Sequence, residues 1–169
     1  INELLVAGNV GDGVVLRGPS TDNVAFSYAS IGAANAHNGG HGILVDGATN
    51  VYDDQDGYLE FFVRYNDGDG IRVESGSRVN FMIYDGAVFP AVRDNGGLAF
   101  NLVAPGDPTS GAQKGVTAND PGDGDSGPNG LLNFPVITSV VSTGGGGVNV
   151  GGTACANCRV RLYQATDDP

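Results

Sequence analysis

Four short strings in this chain share one design: Asn-Val-Gly-Asp-Gly at 9–13, Asn-Gly-Gly-His-Gly at 38–42, Asn-Asp-Gly-Asp-Gly at 66–70, and Asn-Gly-Gly-Leu-Ala at 95–99. Asn9, Asn38, Asn66 and Asn95 are 29, 28 and 29 residues apart. An alternating strand follows each: Val14-Val15-Leu16, Ile43-Leu44-Val45, Ile71-Arg72-Val73 and Phe100-Asn101-Leu102. A turn signal and a strand signal held in one phase predict a stack of similar turns of chain, none of which buries its apolar face alone. The alternative is an antiparallel meander on Asn-Gly hairpins, but a 28–29-residue period is long for one hairpin and suits three strands with three turns.

Strand alternation then assigns faces. Val14 and Leu16, Ile43 and Val45, Ile71 and Val73, and Phe100 and Leu102 are expected inside. Val15, Leu44, Arg72 and Asn101 are expected outside. Turns at Gly18, Gly47 and Gly76 lead to second strands beginning near Val24, Val51 and Val79. A third strand returns to the next asparagine: three positions before it stand Val6, Asn35, Val63 and Val92, and five before it Leu4, Ala33, Phe61 and Pro90. Glycine and asparagine suit these turns because both tolerate positive φ. Ile1–Gly8 reads as the end of a preceding turn, so the chain opens in mid-repeat, which fits a processed or partial chain.

Composition agrees with strands and tight turns. Glycine is abundant at 29 residues, aspartate outnumbers glutamate 16 to 3, and Trp is absent, a mixture that disfavours helices. A net charge of −11 with eight Lys and Arg argues against nucleic acid, which needs clustered positive charge. It argues equally against anionic membrane surfaces. No apolar run approaches the ~20 residues that span a bilayer, so membrane insertion is not expected.

After Val103 the character changes. Residues 104–130 are rich in Pro, Gly, Asp, Ser and Asn, and a loop of this length is usually functional, ion-ordered or mobile. Leu131, Leu132, Phe134, Val136 and Ile137 form the next apolar anchor. Val148-Asn-Val150 and Val160-Arg-Leu162, set apart by Gly144–Gly147 and a cysteine loop, read as opening strands of a β-sandwich. About three strands fall short of the roughly seven such a sandwich has. The expected division is therefore 1–103 as repeats, 104–137 as an acidic loop with a closing strand, and 138–169 as a partial sandwich.

Three stretches carry a resemblance: Asp94-Asn-Gly-Gly-Leu-Ala-Phe-Asn-Leu102, Gly115-Val-Thr-Ala-Asn-Asp-Pro-Gly-Asp-Gly-Asp-Ser-Gly-Pro-Asn129, and Leu131-Leu-Asn-Phe-Pro-Val-Ile137. Together they are similar to the segment that closes the right-handed parallel β-helix of large secreted or surface-exposed bacterial proteins. Gly152-Thr-Ala-Cys-Ala-Asn-Cys-Arg-Val-Arg-Leu162 resembles the start of the immunoglobulin-like module that often follows there. Ala99 stands where that pattern has Gly, and Leu132 where it has Gln. The resemblance implies an all-β chain: a right-handed parallel β-helix of about four coils, then part of an immunoglobulin-like β-sandwich. It also implies a secreted or cell-surface location. That family is functionally mixed, so the resemblance does not settle an activity.

Candidate chemistry is sparse. Asn119, Asp120, Asp123, Asp125 and Asn129 could converge oxygens on one Ca²⁺, with Gly122, Gly124 and Gly127 permitting the bends; Asp120, Asp123, Asp125 and Asn129 make the candidate metal set. The terminal Glu of an EF-hand is missing, and a solvated acidic turn is the other reading. Gly40-His41-Gly42-Ile43 resembles an element of polygalacturonases. Here Asp53 and Asp54 follow the histidine instead of preceding it, and Arg72-Val73-Glu74 replaces that family's Arg-Ile-Lys. His41 also occupies the repeat position of Asp12 and Asp69, so a turn residue is the expectation.

Cys155 and Cys158 are expected to form a local disulfide: the following Arg159–Tyr163 alternates like a strand, not the helix a redox pair wants. The two histidines stand too far upstream to complete a zinc set. Aromatics from Phe26 to Phe89 fall in second and third strands, either filling a core or forming an exposed ladder for sugar rings or a partner.

No catalytic residue is assigned. The expected function is a non-catalytic extracellular structural or adhesive protein whose copies stack head to tail into a filament or sheath, partnered by itself or by neighbouring domains of a longer chain. The alternative is a carbohydrate-active β-helix enzyme, a polysaccharide lyase or glycoside hydrolase, with polysaccharide as partner.

Overall fold

A computed structural model describes residues 2–53, 61–75, 78–80, 92–107, 115–158, 160 and 162. The chain is all-β, with parallel and antiparallel sheets. The strands are β1 (Asn2–Val6), β2 (Val14–Arg17), β3 (Asp22–Ile31), β4 (Ile43–Asp46), β5 (Thr49–Asp53), β6 (Phe61–Val63), β7 (Ile71–Glu74), β8 (Val79–Asn80), β9 (Phe100–Leu102), β10 (Val136–Gly144) and β11 (Gly147–Thr153). They fall into two compact units, Ile1–Thr117 with Gly124–Leu131, and Ala118–Asp123 with Leu132–Pro169. The expected middle segment, 104–137, is thus shared between them.

In the first unit each repeat gives one strand to a parallel sheet ordered β2-β4-β7-β9. Its register aligns Val14, Ile43, Ile71 and Phe100, then Val15, Leu44, Arg72 and Asn101, then Leu16, Val45, Val73 and Leu102. A second parallel sheet holds β1-β3-β5-β8, with β6 also on β3. The first half of β3 aligns Val24 with Val51, which in turn aligns with Val79. Gly18 and Gly47 reach φ of 80° and 77°, as turns between these strands require; Gly76 lies outside the described residues.

Two expectations change. The third-strand column is Val6, Ile31, Val63 and Val92, with Ile31 in place of Asn35. Likewise Ala29, not Ala33, lies between Leu4 and Phe61. Ile31 stands seven residues before its asparagine where its counterparts stand three before theirs, so four extra residues loop out. That excursion closes on itself through Ala36 N–H to Ala33 O at 2.9 Å. A fixed count back from Asn38 could not see it.

The second change lies in β9. Phe100 was expected inside and is exposed, while Asn101 was expected outside and is 2% exposed. Among the described residues β9 is the last strand of its sheet, and the register places Ile71 beside Phe100 on the β7 side. Gly115 lies directly over Asn101, where a side chain would strike its Nδ2. Leu44 is also buried although it points away from the core cluster; its register partners Val15 and Arg72 flank it.

The asparagines do more than turn the chain. Asn9 Nδ2 donates to Asn38 Oδ1 at 2.9 Å, Asn38 Nδ2 to Asn66 Oδ1 at 2.8 Å, and Asn66 Nδ2 to Asn95 Oδ1 at 2.8 Å. Asn38 and Asn66 are 0% and 1% exposed. The amide also ties down the returning strand, through Asn66 Nδ2 to Ile31 O and Arg64 O, and Asn95 Nδ2 to Val63 O and Arg93 O. Buried polar groups persist only when partnered, and these are.

The last glycine of each string has its own reason. Gly13, Gly42 and Gly70 do not have positive φ. A Cβ on Gly42 would lie 2.3 Å from Val63 Cγ1, 2.6 Å from Gly70 O and 2.7 Å from Asn66 Nδ2. Backbone over backbone leaves no room for even a methyl group. The fourth string has Ala99 there, and no fifth asparagine stacks beyond it among the described residues.

Replacing Asn66 with alanine removes its side-chain bonds to Asn38, Asn95, Ile31 and Arg64 from a fully buried position and breaks the ladder in the middle, leaving each partner with one bond fewer. We predict a loss of about 3 kcal/mol or more in urea unfolding. Asn66→Asp should not rescue it, because a carboxylate cannot donate to Asn95 or Ile31.

Candidate functional site

Beside the asparagine ladder runs a second one, built from the fourth residue of each string. His41 N–H donates to Asp12 Oδ1 at 2.7 Å, Asp69 N–H to His41 Nδ1 at 2.9 Å, and Leu98 N–H to Asp69 Oδ1 at 2.9 Å. Each side chain accepts from the backbone of the next repeat. Histidine can stand in for aspartate here because its neutral ring offers a lone pair at Nδ1. The last string has Leu98, which accepts nothing.

Around Asp69 the outer face of β7 gathers its polar groups. Arg72 Nη1 lies 3.2 Å from Asp69 Oδ2 and its Nε 2.6 Å from Glu74 Oε1. Asn101 Nδ2 donates to Asp69 Oδ2 at 2.8 Å. His41 Nδ1 also comes within 3.4 Å of Asp69 Oδ2, but this is not an ion pair, since an Nδ1 that accepts an amide proton carries none. Burial lowers the His41 pKa below the ordinary imidazole value; Asp69 and Asp12 oppose that shift and Arg72 adds to it. Elsewhere Arg17 Nε bonds Asp46 Oδ2 at 3.0 Å. Thr49 and Asn50 bond Asp22 and hold its carboxyl below the usual range.

These contacts commit Asp12, His41 and Asp69 to backbone amides and Arg72 to two carboxylates. His41 is a turn residue, as its place in the repeat predicts. The side chains of Asp53 and Asp54 lie outside the described residues. A cleft of about 620 Å³ is lined by Glu74, Ser75, Val103, Pro105, Ser126 and Pro128 among others. Its one carboxylate, Glu74, is paired with Arg72.

The acidic stretch brings three of its four candidates together. One carboxylate oxygen each from Asp120, Asp123 and Asp125 lies within 4.8 Å of the others, a spacing that could hold a metal ion. Asn129 is engaged elsewhere: its Oδ1 accepts Val79 N–H at 2.8 Å and its Nδ2 donates to Val79 O at 3.0 Å. The carboxamide thus pairs with the edge of β8 as another peptide group would. Asn119 is bonded to the backbone of Phe134 in both directions, at 2.9 Å each. Asn133 joins Asp120 N, Asp120 O and Asp123 Oδ1. The positioning role of Asn133 was missed in the sequence, where a lone asparagine before Phe-Pro carries no signal.

In the second unit β10 and β11 form an antiparallel hairpin whose register shifts between Ile137 and Ser139 and between Ser142 and Gly144. Val136, Ile137, Val140, Val141, Val148 and Val150 are all exposed. Cys155 and Cys158 form the expected disulfide, with Cα atoms 5.5 Å apart.

The aromatics divide. Phe26 and Phe61 are buried with ring centroids 5.7 Å apart. Tyr28 is exposed, Arg64 sits over the rings of Phe62 and Tyr65, and His37 stacks on Tyr65. Tyr58, Phe81, Tyr84 and Phe89 lie outside the described residues. No helix among the described residues is long and apolar enough to cross a membrane.

The chain matches no protein-family model, no curated protein and no solved structure in the three comparisons made.

His41 binds a proton less readily in the folded protein than in the unfolded chain. Its contribution is complete above about pH 6.5 and is lost as the pH falls from there through the lower folded value. Urea midpoints from pH 7.5 to 5 should therefore fall more steeply for the native chain than for His41→Asn, which keeps an acceptor without the titration. Equal slopes would contradict this assignment.

Proposed function

We propose that this chain is a non-catalytic structural or adhesive protein of the cell exterior. Its first 103 residues are read as coils of a right-handed parallel β-helix, and residues from 138 on as part of an immunoglobulin-like sandwich. The handedness follows the strong general preference of parallel crossovers. One observation carries the functional reading: the outward polar side chains of the repeats hold neighbouring repeats together. Asp12, His41 and Asp69 accept backbone N–H groups of the next repeat, Arg17 pairs with Asp46 and Asn101 with Asp69 across repeats, and Arg72 is held by Asp69 and Glu74 of its own repeat. A scaffold needs these bonds, whereas a hydrolase or lyase needs groups free to meet a substrate. The Cys155–Cys158 disulfide is compatible with an oxidising exterior.

A panel of pectins, alginates and glycosaminoglycans incubated with the protein should yield no shortened or unsaturated products. Any turnover abolished by a single substitution in the chain would favour the polysaccharide-lyase or glycoside-hydrolase reading instead.

Calcium belongs to this proposal as a structural ion. Asp120, Asp123 and Asp125 would hold it, cancelling repulsion between three close carboxylates. Asn129, occupied by Val79, is left out of that set. Added Ca²⁺ should raise the melting temperature by a few degrees and chelator should reverse it, through preferential binding to the folded state. Asp123→Asn should shrink the shift, and a melting temperature indifferent to both reagents would remove calcium from the model of function.

A further inference from the structure

Where the chain leaves β6 it sets two cations together. Val63 and Val92 are bridged in parallel, Arg93 N–H donates to Val63 O at 3.2 Å, and Tyr65 N–H donates to Asp94 O at 2.9 Å. Arg64 and Arg93 therefore stand side by side, one residue past the valines, on segments that lie about 4.8 Å apart. Like charges placed so repel each other. Eight Lys and Arg face nineteen acids in this chain, so repulsion between cations is easily relieved by a carboxylate. Arg93 has one in Asp94. Arg64 has neither a carboxylate nor a side-chain hydrogen bond among the described residues. Its Nε is enclosed and unbonded, as is that of Arg93, while its terminal nitrogens are not enclosed.

The rest of the cluster is aromatic. Arg64 Cζ lies 4.8 Å from the ring centroid of Phe62 and 5.6 Å from that of Tyr65. The His37 ring stacks on Tyr65 with centroids 6.0 Å apart. His37 Nδ1 lies 3.0 Å from Asp67 Oδ1, and these two side chains are 49% and 59% exposed. A guanidinium lying over ring faces is held in one orientation while its N–H edge stays free to bond in its own plane. Little freedom is then lost when a ligand arrives.

We propose that Arg64 and Arg93, with the rings of Tyr65 and His37, bind one carboxylated sugar at the end of an otherwise neutral glycan. The carboxylate takes two N–H groups of Arg64 side by side and screens that cation from Arg93. The apolar face of the sugar lies on the rings, and Asp67 accepts a sugar hydroxyl. Asp67 and Asp94 flank the arginines and the whole chain carries −11, so a chain of many acidic sugars is repelled and a single one is not. This site deepens the adhesive reading and rests on it.

NMR of the isotope-labelled full chain reads the site directly, because the enclosed Nε–H groups of Arg64 and Arg93 exchange slowly with water. The probes are methyl glucuronide and sialyllactose; methyl glucoside, lactose and acetate are the controls. Both sugar acids at millimolar concentration should shift the Arg64 Nε–H and the Tyr65 amide, and the controls should shift neither. Arg64→Gln should weaken sugar-acid binding at least tenfold, and Arg64→Lys should do so as well, since it keeps the charge without the planar fork. Tyr65→Leu leaves both arginines in place and should weaken it severalfold, so a loss of fold in one variant does not hide the site. Silence with both sugar acids would overturn the proposal while leaving the non-catalytic reading intact if the polysaccharide panel stays uncleaved. Equal shifts with acetate would overturn it too, by showing a plain carboxylate site. Cleavage of a panel member would instead overturn the reading on which this one rests.

Discussion

The asparagine ladder is the interaction on which the remaining structure depends. Parallel strands alone fix neither how far apart successive repeats begin nor which residues face inward, since sliding a strand by one residue reverses its faces. A buried carboxamide fixes both. It donates and accepts along the stack, and the same Nδ2 reaches the returning strand through Ile31 O or Val63 O. With Asn38 and Asn66 wholly enclosed, a shifted register would strand an amide in the interior, where no water could replace its partners. The aliphatic columns of Ile43, Val45, Ile71 and Val73 supply burial, and the ladder supplies register.

The second ladder explains a residue that invites a more dramatic reading. His41 stands beside Asp69 and Arg72 and could pass for catalytic machinery. Its Nδ1 accepts a backbone amide, as carboxylate oxygens do one repeat before and after. That single geometric fact ranks the competing readings, because a ring committed through Nδ1 and buried enough to stay neutral serves the backbone. The acceptor ladder ends at Leu98 and the close-packed glycine column at Ala99, and nearby Thr117 bonds Leu102 O and Asn129 bonds Val79.

Legibility followed the repeat. The inward residues of β4 and β7, the alignment of Val24, Val51 and Val79, the turns at Gly18 and Gly47, and the disulfide could all be read from spacing and alternation. Legibility failed where something outside the repeat intervened: the four-residue excursion before Asn38, the place of β9 as the last described strand of its sheet, and Gly115 lying over Asn101. In the acidic stretch, residue type suggested a cation set of four. Aspartates attract that reading whatever they touch, and only contacts could show that Asn129 belongs to Val79.

The sequence by itself determined the period, the strand faces of the middle repeats and the near-absence of helix among the described residues, because those follow from local alternation and from glycine and asparagine recurring in phase. Tertiary structure decided what the recurring residues are for. A side-chain amide that turns a chain and one that bridges to the next repeat are the same letter in the sequence. They differ only in what stands one strand away, 28 or 29 residues along the chain.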